Sequence, residues 1–79
     1  MTNLEKYNEA FITNFQVIET QLNELTYQSV EGWDSVGHMG LIASIEEAFD
    51  IMLETDDIID FSSYEKGKEI LFNKYQIVF

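Results

Sequence analysis

Cysteine is absent from this chain, and its absence excludes several kinds of chemistry. The protein has no disulfide framework, no thiolate nucleophile and no cysteine metal site, so any thiol chemistry must come from a cofactor. Proline is absent as well, and histidine occurs only once. His38 does not stand with an aspartate and a nucleophile in a pattern typical of a catalytic triad, and we interpret it as a side chain at the edge of the core. These residues predict neither a catalytic site nor a metal site.

Basic residues are scarce. Four lysines and no arginine face fifteen acidic residues, which gives a formal net charge of −11. No lysine lies between Lys6 and Lys66, whereas eleven acidic residues fall between Glu19 and Asp60. So acidic a surface repels nucleic acid and anionic membranes, and we expect neither as a partner. Partners should instead present basic surfaces.

Long apolar runs are also missing. No segment approaches the roughly eighteen apolar residues of a membrane span, and the first residues lack the basic and apolar regions of a secretory signal. We therefore predict a cytoplasmic location. The 79 residues correspond to one small domain, residues 1–79, with a thin core and little room for an enclosed catalytic pocket. This size argues against a stand-alone enzyme.

The spacing of apolar residues predicts an all-α fold with four helices. Thr2 and Glu5 fit a capping box ahead of the first helix. The apolar stripe of this helix should be buried in the core, and it consists of Leu4, Tyr7, Phe11, Phe15 and Ile18. A long connection over residues 21–33 loses the helical period. Its large apolar side chains should still pack on the helices: Leu22, Leu25, Tyr27, Val30 and Trp33.

The second helix should begin at Asp34 or Ser35, because Asp and Ser are favoured cap residues, and should end near Phe49. Gly37 and Gly40 each cost about 1 kcal/mol relative to alanine inside a helix, which indicates either tight packing or a pliable start.

Two further helices should follow. Thr55 would cap a short helix through Asp60, and Ser62 with Glu65 would form a second capping box ahead of a last helix over about residues 63–75. The residues of the last helix expected to face inward are Tyr64, Leu71 and Tyr75. We expect the tail, residues 76–79, to fray or pack loosely.

The second helix has two apolar faces. Because each residue advances about 100°, one arc gathers the side chains that we expect to be buried: His38, Leu41, Ile42, Ile45 and Phe49. The opposite arc, ordinarily polar on a surface helix, carries Val36, Met39 and Ala43. Glu46 and Glu47 flank this strip. An apolar strip edged by acids beside Ser35 is typical of a docking surface, since Met and Val give adaptable contact and carboxylates steer basic partners.

A series of motifs runs in one register from Trp33 to Leu71. Asp34-Ser35-Val36 begins the second helix, IEEAF at residues 45–49 ends it, TDDIID at residues 55–60 forms the short helix, and a capped last helix follows. This series resembles acyl carrier proteins, in which the serine of a D-S-[LV] step bears a 4'-phosphopantetheine arm. The first helix matches that family only in its apolar spacing. WDSVGHM at residues 33–39 is similar to the stand-alone carriers of specialised pathways, including those that modify surface polysaccharides.

The resemblance implies an acyl-carrier-like four-helix bundle with a long first loop and a short third helix. A holo-carrier synthase, with Mg²⁺ in its own site, would transfer 4'-phosphopantetheine from coenzyme A to Ser35, and acyl groups would ride on the arm as thioesters. Acyl-loading and acyl-transferring enzymes with basic docking surfaces would recognise residues around it: Asp34, Val36, Met39, Glu46, Glu47 and Asp56. The chain would be a monomeric cosubstrate of these enzymes and not itself an enzyme.

Simpler roles exist for the same residues. Asp34 or Ser35 could serve only as a helix cap, and the acidic pairs at residues 46–47 and 56–57 could be merely solvated. Trp33 is interpreted as a packing anchor, although it could also shelter the base of the arm. The acidic segment over residues 50–61 lacks the alternating oxygen ligands and central glycine of an EF-hand.

Two functional alternatives stay open beside the acyl carrier. An aminoacyl or peptidyl carrier would use the same serine and the same arm. An acidic helical adaptor would bind a basic partner with no prosthetic group.

Overall fold

The computed structural model describes residues 1–79 and contains helices but no strands, which confirms the prediction of an all-α chain. The elements are α1 (Asn3–Phe15), a 3-10 helix (Glu19–Glu24), α2 (Ser35–Phe49), α3 (Thr55–Asp60) and α4 (Tyr64–Tyr75). No helix has the length and apolar character needed to cross a bilayer.

The start of α1 is the predicted capping box. The Thr2 hydroxyl accepts a hydrogen bond from the Glu5 amide, and the Glu5 carboxylate accepts one from the Thr2 amide. The predicted stripe is too long at both ends, because Leu4 is exposed and Ile18 is 63% exposed. Ile18 lies beyond Gln16, whose left-handed backbone ends the helix, so Ile18 does not belong to its buried face.

The long connection is more ordered than predicted. The 3-10 helix extends into its first residues, and Leu22, Leu25 and Trp33 are buried as expected, although Tyr27 is exposed. Two backbone hydrogen bonds join the connection to the residues around the start of α4. The Tyr27 amide donates to the Ser62 carbonyl just before that helix (2.8 Å), and the Tyr64 amide, at its first residue, donates to the Leu25 carbonyl (3.0 Å). The connection is therefore fixed at its middle as well as at its ends.

The core is rich in aromatic side chains. Tyr7, Phe11, Trp33 and Phe61 are fully buried, and the Phe11 ring lies edge-on to Trp33 with 5.6 Å between ring centroids. The buried Tyr7 hydroxyl donates to the Tyr64 carbonyl at 2.6 Å, and burial raises the pKa of Tyr7 well above its usual value. This cluster joins α1, the long connection and α4.

The glycines of α2 lie where it packs closely against its neighbours. A Cβ at Gly37 would collide with the Gly32 carbonyl oxygen, and one at Gly40 would lie 3.0 Å from the side-chain oxygen of Asn14 on α1. Of the two explanations for these glycines, the structure supports tight packing.

The ends of α3 and α4 differ from the prediction. Thr55 is the first residue of α3 and gives no cap, because the capping position is Glu54, without a side-chain hydrogen bond. The cap of α4 is Ser63, one residue later than predicted, and its hydroxyl accepts from the Lys66 amide. The predicted capping box of Ser62 and Glu65 is therefore wrong: the helix has a Ser63 cap and no capping box.

The tail does not fray. Ile77 is buried, and the Asn3 side chain donates to the Val78 carbonyl at 3.0 Å. The Phe79 ring lies 5.1 Å from the Tyr7 ring, centroid to centroid. Side chains at the two ends of the chain thus pack together.

Candidate functional site

Asp34 and Ser35 have separate roles at the start of α2. Asp34 is the N-cap, and its Oδ1 accepts a hydrogen bond from the Gly37 amide at 2.8 Å. Ser35 is the first helical residue; it is exposed, and its hydroxyl makes no hydrogen bond within the protein. Because Asp34 supplies the cap, the Ser35 hydroxyl is free for chemistry with another molecule.

A pocket of about 390 Å³ opens beside Ser35, between α2 and α3. Its walls come from α2, α3, the link between α3 and α4, and the long connection. Eight residues line it: Tyr27, Ser35, His38, Met39, Ile58, Ile59, Phe61 and Ser62. Five of these are hydrophobic. Pockets of this size and character suit small apolar groups, with a few polar atoms at the edge to orient them.

The pocket was not foreseen from the sequence. Ile58 and Ile59 form an apolar pair inside an acidic six-residue helix, which is the one sequence signal that could have placed this wall. Tyr27 was expected to pack on the helices, yet it is exposed and lines the pocket. Ser62 was expected in a capping box and instead lies on the pocket with a free hydroxyl.

His38 is half-buried, as a residue at the edge of the core should be. The buried Trp33 indole N–H donates to its Nδ1 at 2.9 Å, and its Nε2 lies 2.7 Å from the Ile58 carbonyl oxygen. Both ring nitrogens are therefore engaged, and neither is left to take a proton from Ser35. The serine has no activating base in this arrangement.

The strip predicted on the outer face of α2 is exposed. Val36 is 80% exposed, Met39 is 54% exposed and Ala43 is exposed. Ile59 of α3, 71% exposed, adds an apolar side chain that the sequence did not single out. Met39 and Ile59 both line the pocket, so the strip continues into its rim.

The acidic residues around the strip divide into free and engaged side chains. Glu47 and Asp56 are exposed and form no side-chain hydrogen bond or ion pair. Glu46 is half-buried, and its Oε2 accepts from the Leu53 amide at 2.9 Å, which shapes the turn between α2 and α3. Glu46 thus has a structural role besides its predicted part in recognition.

Asp57 corrects the idea that residues 56 and 57 act alike. Its side chain is 2% exposed. The Lys74 ammonium donates to Oδ1 and the Tyr75 hydroxyl to Oδ2, each at 2.6 Å. These hydrogen bonds, the one from Lys74 first, hold the pKa of Asp57 below its usual value. Asp57 fastens α3 to α4 and is not part of the exposed acidic surface.

The site can therefore offer a free hydroxyl, an apolar pocket and an acid-edged apolar strip on one part of the surface. No group of three or more His, Asp or Glu side chains is placed to bind a metal ion. No model of a protein family, no curated protein and no solved structure matches the chain.

Proposed function

We propose that the protein is an acyl carrier, and that Ser35 is the residue to which a 4'-phosphopantetheine arm is attached. The observation that carries the proposal is the state of Ser35. Its hydroxyl is exposed and unbonded at the start of α2, while the neighbouring Asp34 performs the capping that would otherwise occupy it. In this proposal the helices form a carrier-type four-helix bundle with α3 as its short member.

The residues around Ser35 fit such an arm. The hydroxyl is accessible to a partner enzyme, and the pocket beside it offers apolar walls for a group delivered at the end of the arm. The hydroxyls of Tyr27 and Ser62 make no hydrogen bonds within the protein, so they are free at the same pocket to orient a polar group.

The attachment requires a partner enzyme. Ser35 Oγ would form a phosphodiester with the phosphopantetheine phosphate of coenzyme A, losing its proton, while the adenosine bisphosphate part of coenzyme A leaves. His38 cannot take that proton, because both its ring nitrogens are already hydrogen-bonded. A holo-carrier synthase would therefore supply the base and the Mg²⁺. The bound arm would supply the thiol that this cysteine-free chain lacks.

Recognition would use the exposed strip. Val36 and Met39 provide apolar contact beside Ser35, and Glu47 and Asp56 provide unpaired negative charge at its edges. Asp34 and Glu46 are the remaining predicted contacts, and each already has one oxygen bonded to a backbone amide. Partners would be synthases and acyl-transferring enzymes with basic docking surfaces, acting on this chain as a cytoplasmic cosubstrate.

Intact-mass measurement tests the proposal. The purified chain is incubated with coenzyme A, Mg²⁺ and a broad-specificity holo-carrier synthase, and we expect one phosphopantetheine to be added. Ser35→Ala should remain unmodified. Ser62→Ala is the matched control, since it removes another free hydroxyl at the same pocket, and it should be modified like the wild type.

The same experiment separates the alternatives. An acidic adaptor with no prosthetic group would gain no mass, and that result would refute the proposal. A mass addition that also occurs in Ser35→Ala would refute it as well. An aminoacyl or peptidyl carrier would give the same mass change as an acyl carrier. The group found on protein purified from its native cell distinguishes these two types.

A further inference from the structure

The proton on His38 is fixed by its neighbours. An indole N–H can only donate, so Nδ1 of His38, which faces the Trp33 N–H at 2.9 Å, must be an acceptor. The proton of the neutral ring therefore resides on Nε2, which donates to the Ile58 carbonyl at 2.7 Å. The planes of the two rings lie within 13° of each other.

The acceptor of this second bond lies in α3. Ile58 is in the last turn of that six-residue helix, where carbonyls have no partner within the helix. No backbone amide donates to the Ile58 carbonyl, so His38 is its hydrogen-bond partner. A side chain of α2 thus provides the hydrogen-bond donor for a carbonyl in the C-terminal turn of α3.

This bond spans the pocket beside Ser35. Ser35, His38 and Met39 form its α2 wall, and Ile58 and Ile59 form its α3 wall. The bond from His38 to Ile58 is the hydrogen bond that joins the two walls. On its other side α3 is fastened to α4 through Asp57, so the His38 bond sets how far α3 stands from α2.

We propose that His38, held by Trp33 as the Nε2–H tautomer, is a positioning residue that sets the width of this pocket and thereby the size of the group that it admits. The biological meaning of that size limit rests on the proposed carrier function. The positioning itself does not, and every measurement below uses the unmodified protein.

Two spectroscopic readouts test the positioning. Imidazole ¹⁵N shifts should report the Nε2–H tautomer in the wild type. The preference for this tautomer should be smaller in Trp33→Phe, which removes the N–H and keeps an aromatic ring, because only the bond to Ile58 then favours it. Amide hydrogen exchange at residues 58–62 should become about tenfold faster in His38→Leu, which loses both bonds, while α1 amides exchange as in the wild type. His38→Gln, whose amide can still donate to Ile58, should restore part of the protection.

Pocket width is tested with two alcohols of different cross-section, 1-hexanol and cyclohexanol, titrated by NMR at the Ile59 amide. We expect His38→Leu to shift the ratio of their affinities at least about threefold toward cyclohexanol, since the hydrogen bond that joins the two walls is lost. Asn14→Leu is the matched control, because it removes a part-buried hydrogen bond between α1 and α2 at a residue that does not line this pocket, and its ratio should be unchanged.

An Nδ1–H tautomer in the wild type would overturn the proposal. So would equal acceleration of exchange in α1 and α3, which would mark His38 as a general stabilising residue. An unchanged affinity ratio in His38→Leu would contradict the control of pocket width. Failure of Ser35 to accept phosphopantetheine would instead refute the carrier function. It would not change what the tautomer, exchange and affinity measurements say about His38.

Discussion

Asp57 provides a sharp test of how this small fold is held together. Its buried carboxylate joins α3 to α4 by accepting hydrogen bonds from Lys74 Nζ and the Tyr75 hydroxyl, and the same hydroxyl accepts from the Glu54 amide at 2.8 Å. Asp57→Ala removes the centre of this network. The Tyr75 hydroxyl then loses its acceptor, and a cavity remains between α3 and α4 where the carboxylate was.

The expected loss is large for a chain of this size. A hydrogen bond to a charged group contributes about 1.5–3 kcal/mol, and the cavity and the orphaned hydroxyl add to it, so Asp57→Ala should lower the free energy of unfolding by about 2–4 kcal/mol. The Lys74 side chain is 57% exposed, and solvent screening leaves little of its ionic attraction in this figure. A 79-residue domain has about 4–12 kcal/mol in total.

The contribution of Asp57 depends on pH in a defined direction. Its pKa in the folded chain lies below the usual aspartate value of 3.8, because Lys74 and then Tyr75 donate to the ionised form. The stabilisation is therefore fully present above about pH 3.8 and is lost as the pH falls through the lower folded value. The difference in stability between the wild type and Asp57→Ala should shrink over that acidic range.

Urea unfolding followed by circular dichroism measures both effects. Asp56→Ala is the matched control, because it removes an adjacent carboxylate that is exposed and unbonded, and it should change the free energy of unfolding by less than about 0.5 kcal/mol. Equal effects of the two substitutions at neutral pH would refute the structural role of Asp57. A difference between wild type and Asp57→Ala that persists undiminished at low pH would refute the ionic part.

Three further predictions concern packing, the docking surface and charge. Gly67→Ala should lower the free energy of unfolding by about 1–3 kcal/mol, despite the higher helix propensity of alanine, because a Cβ there collides with buried aromatic side chains; a more stable variant in urea unfolding would contradict this. Glu46→Ala should cost about 1 kcal/mol by removing the bond to the Leu53 amide, whereas Glu47→Ala should leave stability unchanged and slow modification by the synthase; equal melting temperatures for the two would count against this division. Raising the salt concentration from about 10 mM to 200 mM, or adding millimolar Mg²⁺, should raise the melting temperature, since the net charge of −11 repels itself; an unchanged melting temperature would show that this repulsion is not limiting.

The parts of the fold that local sequence controls were predictable. The capping box of Thr2 and Glu5 and the start of α2 after Asp34 depend on residues within one helical turn, and both are present. The burial of Leu41 and Ile45 follows from the helical period alone. The exposed strip of Val36 and Met39 follows from the same geometry.

Features made by distant residues could not be predicted in this way. Asp56 and Asp57 are neighbours of the same type, and only the arrival of Lys74 and Tyr75 from α4 buries one of them. The pocket depends on where α3 lies, which the bond from His38 to Ile58 helps to set. Six residues are too few for a helical period to show which face of α3 is inward.

We have proposed that Ser35 carries a phosphopantetheine arm. The intact mass of the chain purified from its native cell tests this proposal most directly, and peptide fragmentation locates the modified residue. We expect at least part of the protein to carry one phosphopantetheine, with or without an acyl group, and the added mass to lie on Ser35. Protein with the mass of the unmodified chain throughout, or a modification at any other residue, would contradict it.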